Sequence, residues 1–421
     1  METTTSRGGL SGRMESVTPL LTALAAVATL FSIAAAQILL SMALLSLLLS
    51  RHAIEFPARL RFPLLAFIGW TLLSLAFSTA PVAGLPQVRK LFVFFILLVV
   101  YNAYRHRQQL WHASQAMVLA GTLAALYGLG QFVYRYMSLQ RQGLPFYENY
   151  VVQNQITGFM GHWMTFSGEL MLVFLLLLAS VLFFPWQGRR SLWWWLCLAP
   201  IALALLASFT RGVWLGTFAG TTYLLVRFRP RLLWILPAGV LLLYLVAPPW
   251  LQERAQSIFD TQADTSNRSR LLMLQTGLEM IAAHPWFGVG PQRVGAEFFR
   301  YKPASLPVPR AWYGHLHNNY LQLAAERGIP FLLIWLWLIY QVAHEGFLAS
   351  RSADTKTRVL GHAAVAATVG LLVAGLFEFN FGDSEVLMLY LFVISIPFAW
   401  HRLENHRGPV EPEQHADVEV S

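Results

Sequence analysis

Apolar stretches of about 17–25 residues recur along nearly the whole chain, each long enough to cross a hydrocarbon core of about 30 Å as a helix. That recurrence constrains the fold more than any other feature. Inside a bilayer the backbone has no water to bond, and a helix satisfies its own N–H and C=O groups. The pattern predicts spans at 17–33, 36–50, 62–78, 87–103, 110–134, 164–185, 191–208, 212–227, 232–248, 329–344, 359–377 and 385–400. Charged residues make up only 12% of the chain and hydrophobic ones 56%, against roughly 25% charged in soluble domains. The expected fold class is an all-α integral membrane protein with about 12 transmembrane helices. The first two spans can instead form one kinked or re-entrant hairpin around "AAAQ".

A net charge of +9 admits nucleic acid or a membrane surface as partner, and the placement of the charges decides between them. With the N-terminus in the cytoplasm, alternate connections carry Arg51, Arg59 and Arg61; Arg105 and Arg107; Arg189 and Arg190; Arg227, Arg229 and Arg231; and Arg351, Lys356 and Arg358. Arg402 and Arg407 fall on the same side. The short opposite connections carry few: Arg89 and Lys90 after "STAPVAGLPQV", then Arg135 and Arg141. This is the positive-inside bias, and it predicts both termini in the cytoplasm. No basic helix with interleaved aromatics is present, which argues against nucleic acid.

The expected organisation is a cytoplasmic tail (1–16), transmembrane helices one to nine (17–248), a long, partly helical periplasmic loop (249–328), helices ten to twelve (329–400) and a cytoplasmic tail (401–421). Long external segments translocate whatever their charge, so the arginines within 249–328 do not oppose that orientation. No short apolar segment with a small-residue cleavage site follows the N-terminal residues, so no cleaved signal peptide is expected. The single cysteine, Cys197 in "SLWWWLCLAP", rules out an internal disulfide and a thiol metal cluster.

Three polar pieces are predicted on the non-cytoplasmic face. "SFTRGVWLG" puts Arg211 at the outer junction of the seventh and eighth spans. In "TSNRSRLLMLQTGLEMIAAHPWFGVGPQRVG", Leu271, Leu274, Leu278 and Ile281 recur at the spacing of an amphipathic helix. Thr265, Ser266 or Asn267 can cap it, and His284-Pro285 ends it. Arg268 and Arg270 then lie in its first turn, where free N–H groups and the positive dipole end favour a phosphate. "GHLHNNYLQLAAERG" is the third piece, with Asn318, Gln322 and Glu326 on one helical stripe and His317 beside it.

Each piece alone has a bland reading. An arginine at a span end usually snorkels to the interface, and arginines at a helix start are usually solvated. His315 and His317 supply two metal ligands with nothing nearby to complete a site. Glu169 falls in the outer half of a span, where a carboxylate is costly; pairing with a basic residue and a neutral acid both stay open.

Together the pieces resemble the O-antigen ligase and polymerase superfamily, bacterial membrane enzymes that transfer glycans from undecaprenyl pyrophosphate. The match is carried by the Ser-x-Thr-Arg-Gly turn at Arg211, by Ser269-Arg270 with "LLMLQTGLEMIAAHPWFGVG", and by "HLHNNYLQLAAERGIP". "TGFMGHWMTFSGELML" (157–172) is similar to the family's outer segment before its sixth span. One departure is a methionine-leucine pair near Arg270 where the family often has a tryptophan. The resemblance implies Arg211 and Arg270 as a clamp on pyrophosphate, since arginine forks two hydrogen bonds to phosphate oxygens. It implies His317 as the general base on an acceptor hydroxyl, with Asn318 and Gln322 as substrate contacts. Glu253, Asp260 and Asp264 are scattered and no Asp-x-Asp pair occurs, so no divalent metal, cofactor or nucleotide sugar is expected. The donor already carries the energy, so no Walker-type loop is needed.

The resemblance implies an O-antigen ligase in the bacterial inner membrane, moving a lipid-linked glycan to a lipid A–core sugar at the periplasmic face. An O-antigen or exopolysaccharide polymerase would use the same donor chemistry. A protein O-glycosyltransferase often carries a larger C-terminal region. A transporter or flippase usually shows inverted repeats and midplane charges, which this sequence does not display.

Overall fold

The computed structural model describes residues 10–50, 53–256, 265–308 and 313–405. The expected tails lie largely outside these, as do Arg51, Asp260, Asp264 and Arg407. Among the described residues every regular element is helical. In chain order the α-helices are α1 (Leu10–Thr29), α2 (Ile33–Leu49), α3 (Ala58–Ala76), α4 (Pro81–Lys90), α5 (Phe95–Ala103), α6 (Arg107–Gln142), α7 (Trp163–Phe183), α8 (Arg189–Ala207) and α9 (Arg211–Phe228). There follow α10 (Ile235–Val246), α11 (Pro249–Gln256), α12 (Thr265–Ala283), α13 (Val294–Tyr301), α14 (Asn319–Arg327), α15 (Ile329–Ala349), α16 (Thr355–Ala374) and α17 (Ser384–Asn405).

Each expected span falls on a helical segment, but among the described residues only 7 helical stretches are long and apolar enough to cross a membrane, fewer than the 12 expected. They are Ala58–Ala76, Pro81–Ala103, Arg107–Gln142, Trp163–Phe183, Ile329–Ala349, Thr355–Ala374 and Ser384–Glu404. Ser16–Thr29, Ile33–Leu49, Ser191–Ala207 and Pro230–Val246 are apolar but shorter. The first two spans form a helical hairpin whose break is at Leu30–Ser32, not at "AAAQ", which lies inside α2. Ser32 caps α2 by accepting a hydrogen bond from the Ala35 N–H, which lets the chain reverse there.

Burial grades from the centre outward. α7, α16 and α17 are buried along most of their length, whereas α10 has no buried residue. The rim exposes large apolar side chains such as Leu20, Ile38, Phe62, Leu123, Trp193 and Leu245. Contiguous apolar surface of this extent needs a hydrocarbon surround.

One small-residue stripe positions the site. Gly212, Gly216 and Gly220 recur at i, i+4 and i+8 on α9, the spacing that lets two membrane helices approach closely. A Cβ at Gly216 would stand 2.6 Å from the Gly370 carbonyl of α16, and one at Gly212 would stand 2.9 Å from the Phe377 side chain. Arg211, the first residue of α9, is thereby held beside the chain leaving α16.

A second, smaller core joins α12, α13 and α14 through Leu272, Met273, Met280, Val294, Phe298, Leu316 and Leu321. The stripe expected to define α12 proves to be its outer face: Leu271, Leu274 and Leu278 are exposed. Leu272, Met273, Thr276 and Met280 face inward instead, because the sequence offers apolar residues on both sides of this helix. The end of α14 leaves carbonyls that its own helix cannot satisfy. Val289 N–H donates to Ala325 O at 2.8 Å and Gly290 N–H to Glu326 O at 2.9 Å. The Trp70 indole N–H takes Arg327 O at 3.0 Å. Gly288 and Gly328 both have positive φ (67° and 86°), and a Cβ at either would collide with backbone of the other strand of this junction. The "WFGVG" and "ERGIP" motifs thus occur together because they are two halves of one tight contact.

Candidate functional site

The turn from α8 to α9 sets the first arginine. Phe209 adopts φ 52°, a left-handed conformation that costs a non-glycine residue energy and marks an over-determined position. The turn is fixed by its surroundings: Tyr150 Oη donates to Ala207 O at 2.9 Å and Trp214 Nε1 to Leu205 O at 2.8 Å. Arg211 is only 6% exposed. Its guanidinium donates to Asn267 Oδ1 at 3.0 Å, tying the span end to the first turn of α12.

Arg270 lies one turn after Asn267, so the two arginines meet the same stretch of α12. Arg268 is exposed on another face of that helix, as the rotation of about 200° between the two positions requires. Arg270 donates to Glu378 Oε1 at 2.8 Å. The other carboxylate oxygen of Glu378 lies 3.1 Å from His317 Nδ1. Glu378 itself is 4% exposed. One buried carboxylate therefore holds the second and third polar pieces together.

His317 has φ 47°, and its backbone N–H donates to His315 Nδ1 at 3.1 Å. Burial pushes the His315 imidazole down to about 3, so this ring is neutral at physiological pH and its Nδ1 is an acceptor. Asn318 caps α14 by accepting from the Leu321 N–H at 2.9 Å and donates to Leu376 O at 2.9 Å. Gln322 accepts from the Leu316 N–H at 2.8 Å and donates to Glu326 Oε1 at 3.0 Å. These two expected substrate contacts each use one donor and one acceptor in holding the histidine loop to α14 and the end of α16.

His317 and Glu378 open on a cavity of about 460 Å³, with His162, Thr165, Phe379 and Asp383 among its walls. Thr165 Oγ1 donates to Asp383 Oδ2 at 2.5 Å, and burial also lowers His162. Glu169, one turn below Thr165, is fully buried, and its carboxylate oxygens have no hydrogen-bond partner among the described residues. A basic partner, one of the two readings open for it, is absent there.

The structure thus brings Arg211, Arg270 and His317 to one end of the bundle. It adds Glu378, which sequence reasoning missed, along with His162 and Asp383. The signal for Glu378 was present: an ionisable residue directly after an apolar span is a functional candidate by default.

A comparison with curated proteins finds no match. Residues 195–336 match the family model described as O-antigen ligase. That segment contains Arg211, Arg270 and His317 and ends before Glu378. Similarity to the O-antigen ligase family thus covers residues 195–336 of the 421, in a chain whose described residues include 7 helical stretches long and apolar enough to cross a membrane.

Proposed function

We propose that the protein is an O-antigen ligase acting at the periplasmic face of the bacterial inner membrane. It would transfer a glycan from undecaprenyl pyrophosphate to a sugar hydroxyl of lipid A–core. The observation that carries this reading is the Arg270–Glu378–His317 chain at 2.8 and 3.1 Å, with Arg211 joined to the same helix through Asn267.

In this reading Arg211 and Arg270 bind the pyrophosphate. As the bond from the anomeric carbon to the phosphate oxygen breaks, its electron pair moves onto that oxygen. Fixed guanidinium charges stabilise the pyrophosphate as it leaves, and such preorganised stabilisation is often the largest catalytic contribution. His317 takes the proton of the acceptor hydroxyl, whose oxygen forms the new bond to the anomeric carbon. Glu378 is a positioning residue. By accepting from Nδ1–H it leaves Nε2 as the basic nitrogen and stabilises the imidazolium that forms. Asn318 and Gln322 hold the loop that carries His317.

The reading is metal-independent. Supporting it, no group of three His, Cys, Asp or Glu side chains suited to a metal occurs among the described residues, and His317 Nδ1 is engaged by Glu378. The test is reconstitution: purified protein with undecaprenyl-pyrophosphate glycan, lipid A–core, excess chelator and no ATP. Glycosylated lipid A–core is the expected product. A longer lipid-linked glycan, formed when a second lipid-linked repeat replaces lipid A–core, would make the protein a polymerase. Activity lost in chelator and restored by magnesium or manganese would overturn the metal-free mechanism, and no product with either acceptor would favour transport.

A further inference from the structure

A second cavity of about 380 Å³ adjoins the first, sharing His315, Phe379 and Asp383 with it. Its volume is within the range of about 300–1,000 Å³ common to small-ligand sites. The two differ in chemistry. The first is walled partly by Met164, Val213 and Val386. The second is lined by neutral amides, Gln87, Gln292 and Gln322, with Lys90 and Glu326.

Gln87 distinguishes this cleft from ordinary surface polarity. It is only 9% exposed, yet its amide has no hydrogen-bond partner among the described residues. Two other amides in the bundle are fully engaged by contrast: Gln131 bonds Thr157 N–H, Gly158 N–H and Gly158 O, and Asn102 bonds Glu55 N–H and O. The Gln87 amide atoms are not among the polar atoms sealed from solvent without a partner; they face the cleft, where a ligand's polar groups can replace water. Gln292 is brought to the cleft by a left-handed backbone, φ 58°, held by its N–H donating to Glu326 Oε1 at 3.0 Å. Lys90 gives its ammonium to Gly382 O at 2.7 Å, bracing the wall.

We propose that this cleft binds the acceptor sugar bearing the attacking hydroxyl. Amides donate and accept at once, as sugar hydroxyls do, and the Phe379 ring offers a face for the apolar side of a pyranose. The arginines that suit a pyrophosphate contact α12 and Glu378, whereas the cleft lies beyond His315. In a single inverting displacement the nucleophile and leaving group stand on opposite sides of the anomeric carbon, an arrangement met with the acceptor in the cleft and the donor in the first cavity.

This inference rests on the glycosyl-transfer reading, and the experiment separates the two. Gln87→Leu and Gln292→Ala would each be assayed for the KM of lipid A–core and of the donor. Each should raise the acceptor KM about tenfold, the effect of one lost hydrogen bond to a desolvated hydroxyl, and leave the donor KM unchanged. Gln292 is exposed, so its variant tests the idea even if Gln87→Leu folds poorly. A shift in donor KM instead would assign the cleft to the donor glycan and overturn the proposal, as would unchanged values in both folded variants. In parallel, lipid-free core oligosaccharide would be tested for binding by saturation-transfer NMR. Binding lost in the variants, from a wild-type protein that transfers nothing, would uphold the cleft while rejecting the reaction. Absence of binding to the wild type would overturn the cleft.

Discussion

At the scale of single residues, Glu378 makes the roles of its two partners separable, because it contacts an arginine through one oxygen and a histidine through the other. Arg211→Lys and Arg270→Lys should both weaken donor binding, since an ammonium cannot reproduce a planar two-pronged contact with phosphate. His317→Ala should leave donor affinity near that of wild type and slow single-turnover transfer by about 10²–10⁴-fold. Glu378→Gln keeps the shape and one acceptor oxygen but removes the charge. Its transfer rate should fall while donor affinity changes less than in Arg270→Lys. Arg268→Ala, on the exposed side of α12, should be milder than Arg270→Ala. Donor titrations and single-turnover rates for these variants check the scheme. Loss of donor binding in His317→Ala, or wild-type behaviour of Arg270→Ala, would sink it. The arginines and His317 were legible because their side chains carry chemistry that few other residues can supply. Glu378 carried only the signal of an ionisable residue after an apolar span; its role was not legible, because it is 61 residues from His317 in sequence and only the fold supplies its partners.

The elements explain why those side chains meet. The end of α12 follows from His284-Pro285, the structure giving Ala283 as its last residue. Thr265, Ser266 and Asn267, expected to cap its start, lie within the helix, and the residues before them (257–264) lie outside the described ones. The orientation of α12 did not follow. Apolar residues lie on both faces, and contact with Leu316 of the histidine loop and Leu321 of α14 selects the face with Leu272, Met273 and Met280. The glycine stripe of α9 is the more consequential feature. With Gly216 packed against Gly370 O and Ala374, a larger side chain must push α9 from α16 and move Arg211 relative to Glu378. Overpacking of this kind costs about 1–3 kcal/mol. Gly216→Leu should therefore lower the unfolding temperature in detergent and reduce transfer more than its residual folded fraction explains. Gly130→Ala, where a Cβ meets nothing within 4 Å, is the matched control and should alter neither. Equal thermal stability and activity for Gly216→Leu would show that the stripe does not set the site.

Across the whole molecule, the helices connect two differently charged ends. The candidate site lies where α9, α14, α15 and α17 begin and α16 finishes. At the far end Arg59 pairs with Glu345 at 3.6 Å, Arg107 pairs with Glu404 at 3.0 Å, and Arg402 donates to Tyr104 O at 2.8 Å. Arg59, Arg107 and Arg402 all belong to the set that charge bias assigns to the cytoplasm, whereas Lys90 stands at the site end against Gly382. The spans were legible because hydrocarbon imposes length and apolarity on any helix that crosses it. Their depth was not: α10 and α17 read alike as apolar segments, yet one has no buried residue and the other is central, a difference set by neighbours rather than by composition. Since positive residues near span ends are retained on the cytoplasmic side, the site end should face the periplasm. In a Cys197→Ser background, Ser305→Cys and Lys356→Cys would be exposed separately to a membrane-impermeant maleimide on spheroplasts. Ser305→Cys should label before lysis and Lys356→Cys only after it. The reverse pattern would invert the protein in the membrane and put the arginines and His317 on the cytoplasmic side, out of reach of a periplasmic acceptor.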